Sequence, residues 1–278
     1  MSKQSWEGNL RKMTTNQPDS SPSITYHLPL HDRTDPCFNL SPNDWIGHDV
    51  EIQWLHEIHC VETGKRIQKT YGDGLSYNAW LNSPASVESV IRPELSRIHE
   101  GIALRDEAWE REHHLTPHVV YLSYTGGLKV GVTRLANIPF RWHDQGAVGA
   151  IVVAEVPYRQ LAGQMEVELK PIFGDKTNWR SMLQHQNPDM STLLEAKDEA
   201  LESLDPEFEP FFSDDDSVWT VTYPVLAYPE KVKSCRLEKR EHIQGKLNGI
   251  KGQYFIFESG EVINVRNHMG YRVRIIVD

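Results

Sequence analysis

HVVYLSYTGGLKVGVTR, residues 118–134, is two runs rich in β-branched and aromatic residues on either side of Tyr124-Thr125-Gly126-Gly127. Adjacent glycines supply the positive φ of a tight turn, so the stretch predicts a β-hairpin. Beyond it, Asn137 can cap a helix that has Pro139 near its first turn, runs through FRWHDQ and closes at Gly146. AIVVAEV follows as a buried strand. Pro157 then opens YRQLAGQMEVELK, whose Leu161, Met165 and Leu169 share one helical face. The predicted order is β-β-α-β-α over residues 116–190.

Upstream, Ser23 to Val61 alternates and is rich in β-type residues, which predicts antiparallel strands. Ser83 to Leu115 reads as helical, with Val87, Val90, Ile91, Leu95 and Ile98 at helix spacing. Pro93 would start a second segment there, Gly101 would end it, and ALRDEAWEREHH would form another helix. Downstream come a short helix in TNWRSMLQ, a linker at Gln186-Asn187-Pro188 and an acidic connector. SVWTVTYPVLAY, GQYFIFE, EVINVR and YRVRIIV then predict strands, with a turn at Ser259-Gly260 and the N-terminal strands available to pack against them. The fold class expected is α+β. A central module is flanked by an N-terminal β and helical region (1–115) and by a connector with an antiparallel barrel or sandwich (191–278).

The chain has 278 residues, 39% of them hydrophobic, and a formal charge of -10. Three widely spaced cysteines, Cys37, Cys60 and Cys235, do not suggest a disulfide framework and fit a reducing compartment. The N-terminus is polar and no apolar run approaches the roughly 18 residues of a membrane span. A cytoplasmic protein without a membrane partner is expected. Ten acidic residues fall between Glu195 and Asp216, where Lys197 is the one base. From Glu230 to Lys251, seven lysines and arginines face three glutamates. The acidic run is either a solvated helix and loop or a segment that masks a basic surface or binds a partner.

Val119-Val120-Tyr121, then Lys129-Val130-Gly131-Val132-Thr133, then Arg141 and Glu166, resemble in order the core of the GIY-YIG nuclease superfamily. By position, Tyr121 corresponds to the first family tyrosine, Arg141 to the helical arginine and Glu166 to the ligand of one Mg²⁺ or Mn²⁺. That resemblance implies cleavage of phosphodiesters in DNA or RNA. A tyrosine can activate water, an arginine can draw charge off phosphate, and a carboxylate can hold a divalent ion. Gly131 would admit a close backbone approach, and Thr133 and Arg134 continue the same strand. Lys129 stands where the second tyrosine would be, and a lysine contacts phosphate without acting as the family's base. Tyr121 as a packed strand residue, Arg141 as a surface residue and Glu166 as the i,i+4 partner of Lys170 are the structural alternatives.

PHVVYL, GLKVGVTR, PFRWHDQGA, RQLAGQMEVELK, DKTNW and GKLNGIKGQYFIF, spread over most of the chain, resemble the bacterial and archaeal Domain of Unknown Function family 2797. The resemblance marks Arg141, Trp142, Asp144, Gln145, Asp175, Asn178 and Trp179 as a shared surface in which the tryptophans either stack a ligand or fill the core. It also implies a zinc-ribbon-like region, whose four positions here read Cys60, Thr63, Ser76 and Ala79. With three donors missing, no structural zinc is expected. His56 and His59 point to opposite faces of a strand, and Pro117 separates His118 from His113 and His114. GKLNGIKGQ offers a glycine-rich, basic loop for phosphate. The expectation is a nucleic-acid-associated protein, either a metal-dependent phosphodiesterase or a non-catalytic RNA, ribosome or protein binder; a small-molecule enzyme using Asp144, Gln145 and Asp175 is a third option.

Overall fold

The computed structural model describes residues 3–18, 21–184 and 188–278. Along the chain lie β1 (Gln4–Leu10), β2 (Thr14–Asn16), β3 (Thr25–Asp32), β4 (Asp35–Leu40), β5 (Asp49–His59), β6 (Arg66–Ile67), α1 (Tyr77–Asn82) and α2 (Glu107–His114). The middle holds β7 (His118–Tyr124), β8 (Leu128–Arg134), α3 (Phe140–Gln145), β9 (Gly149–Val156), α4 (Arg159–Phe173), α5 (Trp179–Leu183) and α6 (Ser191–Ser203). The rest is β10 (Trp219–Thr220), β11 (Lys233–Cys235), β12 (His242–Lys251), β13 (Tyr254–Phe257), β14 (Glu261–Asn264) and β15 (Tyr271–Val277). No helix among the described residues is long and apolar enough to cross a membrane.

Two compact units emerge. One joins Met1–Asn82, Leu183–His185 and Thr222–Asp278; the other joins Ser83–Met182 and Gln186–Val221. In the first, the terminal unit, eleven strands form one open sheet whose path runs β11-β14-β13-β12-β5-β15-β1-β3-β2. β15 lies antiparallel between β1 and β5, and β5 also pairs with β12, so the two chain ends share one layer. Val50, Ile52, Val273 and Ile275 are buried on it at alternate positions. The expected C-terminal barrel or sandwich is therefore corrected to an open mixed sheet. It also contains a parallel pair, β11 with β14. GKLNGIKGQ is not a loop: it forms most of β12 and the turn into β13, and its backbone groups are committed to the ladders.

The second, central unit holds the elements in the predicted order β-β-α-β-α, on a four-stranded antiparallel sheet of order β10-β9-β7-β8. The hairpin turns at Gly126, where Thr125 N–H meets Gly127 O at 2.9 Å. Val120, Leu122, Val130, Ile151 and Val153 pack with α4 and α6, while Val119 and Tyr121 pack with Trp142 of α3. A sheet covered on both faces explains the nearly unbroken apolar runs of β7 and β9.

Three sequence expectations change here. Residues 84–100 are four 3-10 turns, Pro84–Ser86, Glu88–Val90, Pro93–Leu95 and Ile98–Glu100, rather than α-helices. Pro84 and Pro93 lack the N–H that would continue a helix, and Val87 and Ser96 are extended between the turns. Asn137 does not cap α3; it donates from Nδ2 to Thr133 Oγ1 at 3.3 Å, and Pro139 occupies the cap position. The acidic segment is not a bare connector. Leu193, Ala196 and Ala200 of α6, then Leu204 and Phe208, enter the central core, and the buried Lys197 ammonium meets Asp216 at 2.7 Å and Asp215 O at 2.9 Å. Of the linker expected at Gln186-Asn187-Pro188, Gln186 and Asn187 lie outside the described residues.

Candidate functional site

The β7–β8 register sets Tyr121 opposite Gly131, Ser123 opposite Lys129 and Val119 opposite Thr133. Directly opposed residues share a face, so Tyr121, Lys129, Gly131 and Thr133 lie on the side that α3 covers. Gly131 is required by that packing: a Cβ there would sit 2.7 Å from Tyr121 Cζ and Oη. The phenol donates to Gln145 Oε1 at 3.1 Å and meets Trp142 edge-on at 5.8 Å, and Trp142 in turn leans on Trp219 at 5.1 Å. Tyr121 is fully buried. Burial pushes its hydroxyl above the usual tyrosine range, and the adjacent Arg141 guanidinium offsets only part of that.

Lys129 is also buried, which lowers its ammonium to about 8; Arg141 pushes the same way, while Glu166 and Asp175 oppose. Glu166 sits on the buried side of α4. Burial raises its carboxyl against the pull of Lys170, 3.3 Å away, and of Arg159. Lys170 reaches Asp175 at 3.8 Å. Tyr121, Lys129, Arg141 and Glu166 thus share one electrostatic neighbourhood, but three of the four are enclosed. Arg141 alone is half-buried and reaches a cavity.

That cavity, about 240 Å³, is bounded by Arg134, Arg141 and Arg159 with Asn137, Trp109 and His113. Arg159 opens α4, and its guanidinium is held by the carbonyls of Ser89 at 2.7 Å and Val90 at 2.8 Å. Burial lowers it to about 10, so it stays charged at neutral pH. Among the described residues, none of the three guanidiniums has a carboxylate within 4.0 Å. His113 stacks on Trp109 with ring centroids 4.2 Å apart and is tied to Trp109 O at 2.9 Å. His114, buried beside Arg159, is lowered to about 3 by burial. His118 is lowered to about 4 for the same reason, and its buried Nε2 has no hydrogen-bond partner among the described residues. Neutral imidazoles and charged guanidiniums therefore meet at one end of the hairpin. Partly buried cations with no carboxylate in direct contact are costly, and an anion would relieve that cost.

The other sequence candidates divide. Thr133 and Arg134 line the cavity. Trp142 is core, Gln145 holds the phenol, Asp144 lies beside His143, and Asp175 belongs to the Lys170 and Lys129 group. Asn178 accepts from the backbone N–H groups of Arg180 (3.2 Å) and Ser181 (3.3 Å) at the start of α5, and Trp179 stacks under Arg180 at 4.2 Å. Arg159, Trp109 and His113 did not emerge from sequence reasoning as site residues. Arg159 and Glu166 are seven residues apart on one helix, a spacing that places them on one face and could have flagged the arginine.

In the terminal unit, Cys60, Thr63, Ser76 and Ala79 come together in one hydrogen-bonded cluster. Ser76 N–H meets Cys60 Sγ at 3.2 Å and Ala79 N–H meets Ser76 Oγ at 3.1 Å. Burial raises the thiol, but hydrogen bonds from Thr63 and Ser76 outweigh it and bring Cys60 down to about 7. His56 is exposed at an irregularity in β5, with φ 58°, while His59 is buried against Asn9 at 3.0 Å. No three His, Cys, Asp or Glu side chains gather as a metal-binding group among the described residues.

No curated protein and no solved structure matches the chain. The profile of one family, described as "Protein of unknown function (DUF2797)", matches residues 47–273 and so takes in the hairpin, the three arginines and the Cys60 region alike. On that match, which extends over most of its length, the chain belongs to the DUF2797 family.

Proposed function

We propose that the central unit binds nucleic acid through phosphate, on a module that resembles the GIY-YIG nuclease core, and does so without cutting it. The observation that carries this reading is the cavity of Arg134, Arg141 and Arg159, whose guanidiniums have no carboxylate within 4.0 Å among the described residues. Arginine is suited to phosphate because its planar fork donates two parallel hydrogen bonds. The formal charge of -10 does not oppose it, since the acidic surplus is concentrated between Glu195 and Asp216. Fluorescence anisotropy of single-stranded, double-stranded and structured DNA and RNA over a salt series tests it. Binding should weaken as salt rises, and Arg141→Ala should weaken it on every substrate. Binding indifferent to ionic strength would point instead to a protein partner.

A metal-dependent phosphodiesterase is the second reading, favoured by the shared neighbourhood of Tyr121, Lys129, Arg141 and Glu166. Glu166 does not suit Mg²⁺ or Mn²⁺, because it is mostly buried and already neutralised by Lys170, with Arg159 beside it. Tyr121, with its proton held more tightly than usual, is a poor base. Incubation of the same substrates with Mg²⁺ or Mn²⁺ should leave them intact. Cleavage by the wild type that Glu166→Ala abolishes would establish the enzyme.

A further inference from the structure

We infer that the Arg134–Arg141–Arg159 cavity takes a phosphate monoester dianion, the chemistry of a phosphorylated strand end, in preference to an internal phosphodiester. The inference deepens the nucleic-acid reading and, for the strand end as source, rests on it. Charge is the first ground. Three guanidiniums line the cavity with no carboxylate within 4.0 Å among the described residues; of the nearby carboxylates that act on Arg159, Glu166 is paired with Lys170 at 3.3 Å and Glu94 with Arg92 at 3.1 Å. An internal phosphodiester brings one negative charge, whereas a monoester brings nearly two at neutral pH and three strong acceptor oxygens.

Size is the second. At about 240 Å³ the cavity falls below the roughly 300–1,000 Å³ of pockets that enclose whole drug-sized ligands. It has room for a phosphate entering end-on with one attached group. Preorganisation is the third: Nε and Nη2 of Arg159 are fixed by the carbonyls of Ser89 and Val90, so the guanidinium is oriented before any ligand arrives.

The protein can be tested in two steps at matched ionic strength. Thermal melting with inorganic phosphate is compared with melting in dimethyl phosphate, the diester monoanion. Anisotropy is then measured with single strands carrying a 5′-phosphate, a 3′-phosphate or hydroxyl ends only. Phosphate should raise the melting temperature and dimethyl phosphate should not. A phosphorylated end should bind at least about tenfold tighter, which corresponds to about 1.4 kcal/mol. Arg134→Gln, at a side chain that makes no hydrogen bond among the described residues, should erase both differences. Phosphate binding with no strand bound would support the cavity, assign it to a small phosphomonoester and refute the nucleic-acid reading. Equal binding of all strands with no response to phosphate would overturn the inference and leave that reading standing. Retention of the phosphate effect in Arg134→Gln would overturn it as well.

Discussion

The arginines of the terminal unit and those around the central cavity make opposite use of the same side chain. On the terminal sheet, Arg272 rests on Asp32 and Arg266 on Asp73 at 2.7 Å, Arg240 holds Glu261 at 2.7 Å, and Arg274 holds Glu7. These pairs fasten neighbouring segments at the surface. In the central unit Arg92, Arg97 and Arg111 are likewise paired, while Arg134, Arg141 and Arg159 line a cavity with no carboxylate in its lining among the described residues. Paired arginines finish a structure; unpaired ones clustered in a cavity leave charge for a ligand to complete.

The largest expected difference between the units is in acid. His114 and His118 are lowered to about 3 and about 4, and His143, also buried, to about 4. Below pH 6.5 the unfolded chain takes up protons that these folded imidazoles refuse, so stability is full above pH 6.5 and falls as pH drops toward 4. The loss should reach several kcal/mol, at about 1.36 kcal/mol per pK unit. The terminal unit has one imidazole lowered by burial, His59, and otherwise carboxylates held low by donors, such as Glu238 at about 2 beside His268 and Tyr271. Those carboxylates lose their contribution only as pH falls below their ordinary range. Hydrogen exchange at pH 5 should therefore show β7 and β9 opening before β5 and β15; simultaneous opening would erase the contrast.

Next in size is Gly163→Ala. A Cβ at Gly163 would lie 2.2 Å from Glu94 N, where α4 packs on the Pro93–Leu95 turn, and backbone cannot swing aside. A loss of about 3 kcal/mol is expected in urea melts. Lys129→Met should act in the other direction. Removing a buried ammonium should stabilise the protein by roughly 1–2 kcal/mol in the same melts, and because Lys129 lies outside the cavity lining, phosphate-dependent binding should persist. The smallest effect belongs to Arg274→Ala, which breaks an exposed pair with Glu7 and should cost less than about 1 kcal/mol. A larger loss there would show that the terminal sheet depends on its ion pairs.

The hairpin, β9, α4 and the order of the central module were legible because their signals are local: paired glycines, continuous apolar runs and a helical stripe. Residues 84–100 misled because the spacing of Val87, Val90, Ile91, Leu95 and Ile98 fits a helix, whereas Pro84 and Pro93 remove donors and leave only 3-10 turns. The acidic run misled because composition hid the stripe of Leu193, Ala196 and Ala200. Tyr121, Lys129, Arg141 and Glu166 were named from the sequence as site residues, but the burial of Tyr121, Lys129 and Glu166 was not visible in it.

By itself the sequence determined the local elements and the residue types that can meet phosphate, because φ preferences and hydrophobic periodicity act over a few residues. Tertiary structure alone decided that β15 closes between β1 and β5, more than 200 positions away along the chain. It also decided that Arg134 and Arg159, from a strand end and a helix start, would meet Arg141 around one cavity with no carboxylate in its lining among the described residues. Pairing at such separation depends on which surfaces can be buried together and which charges are left without a partner, and no short window of sequence encodes either.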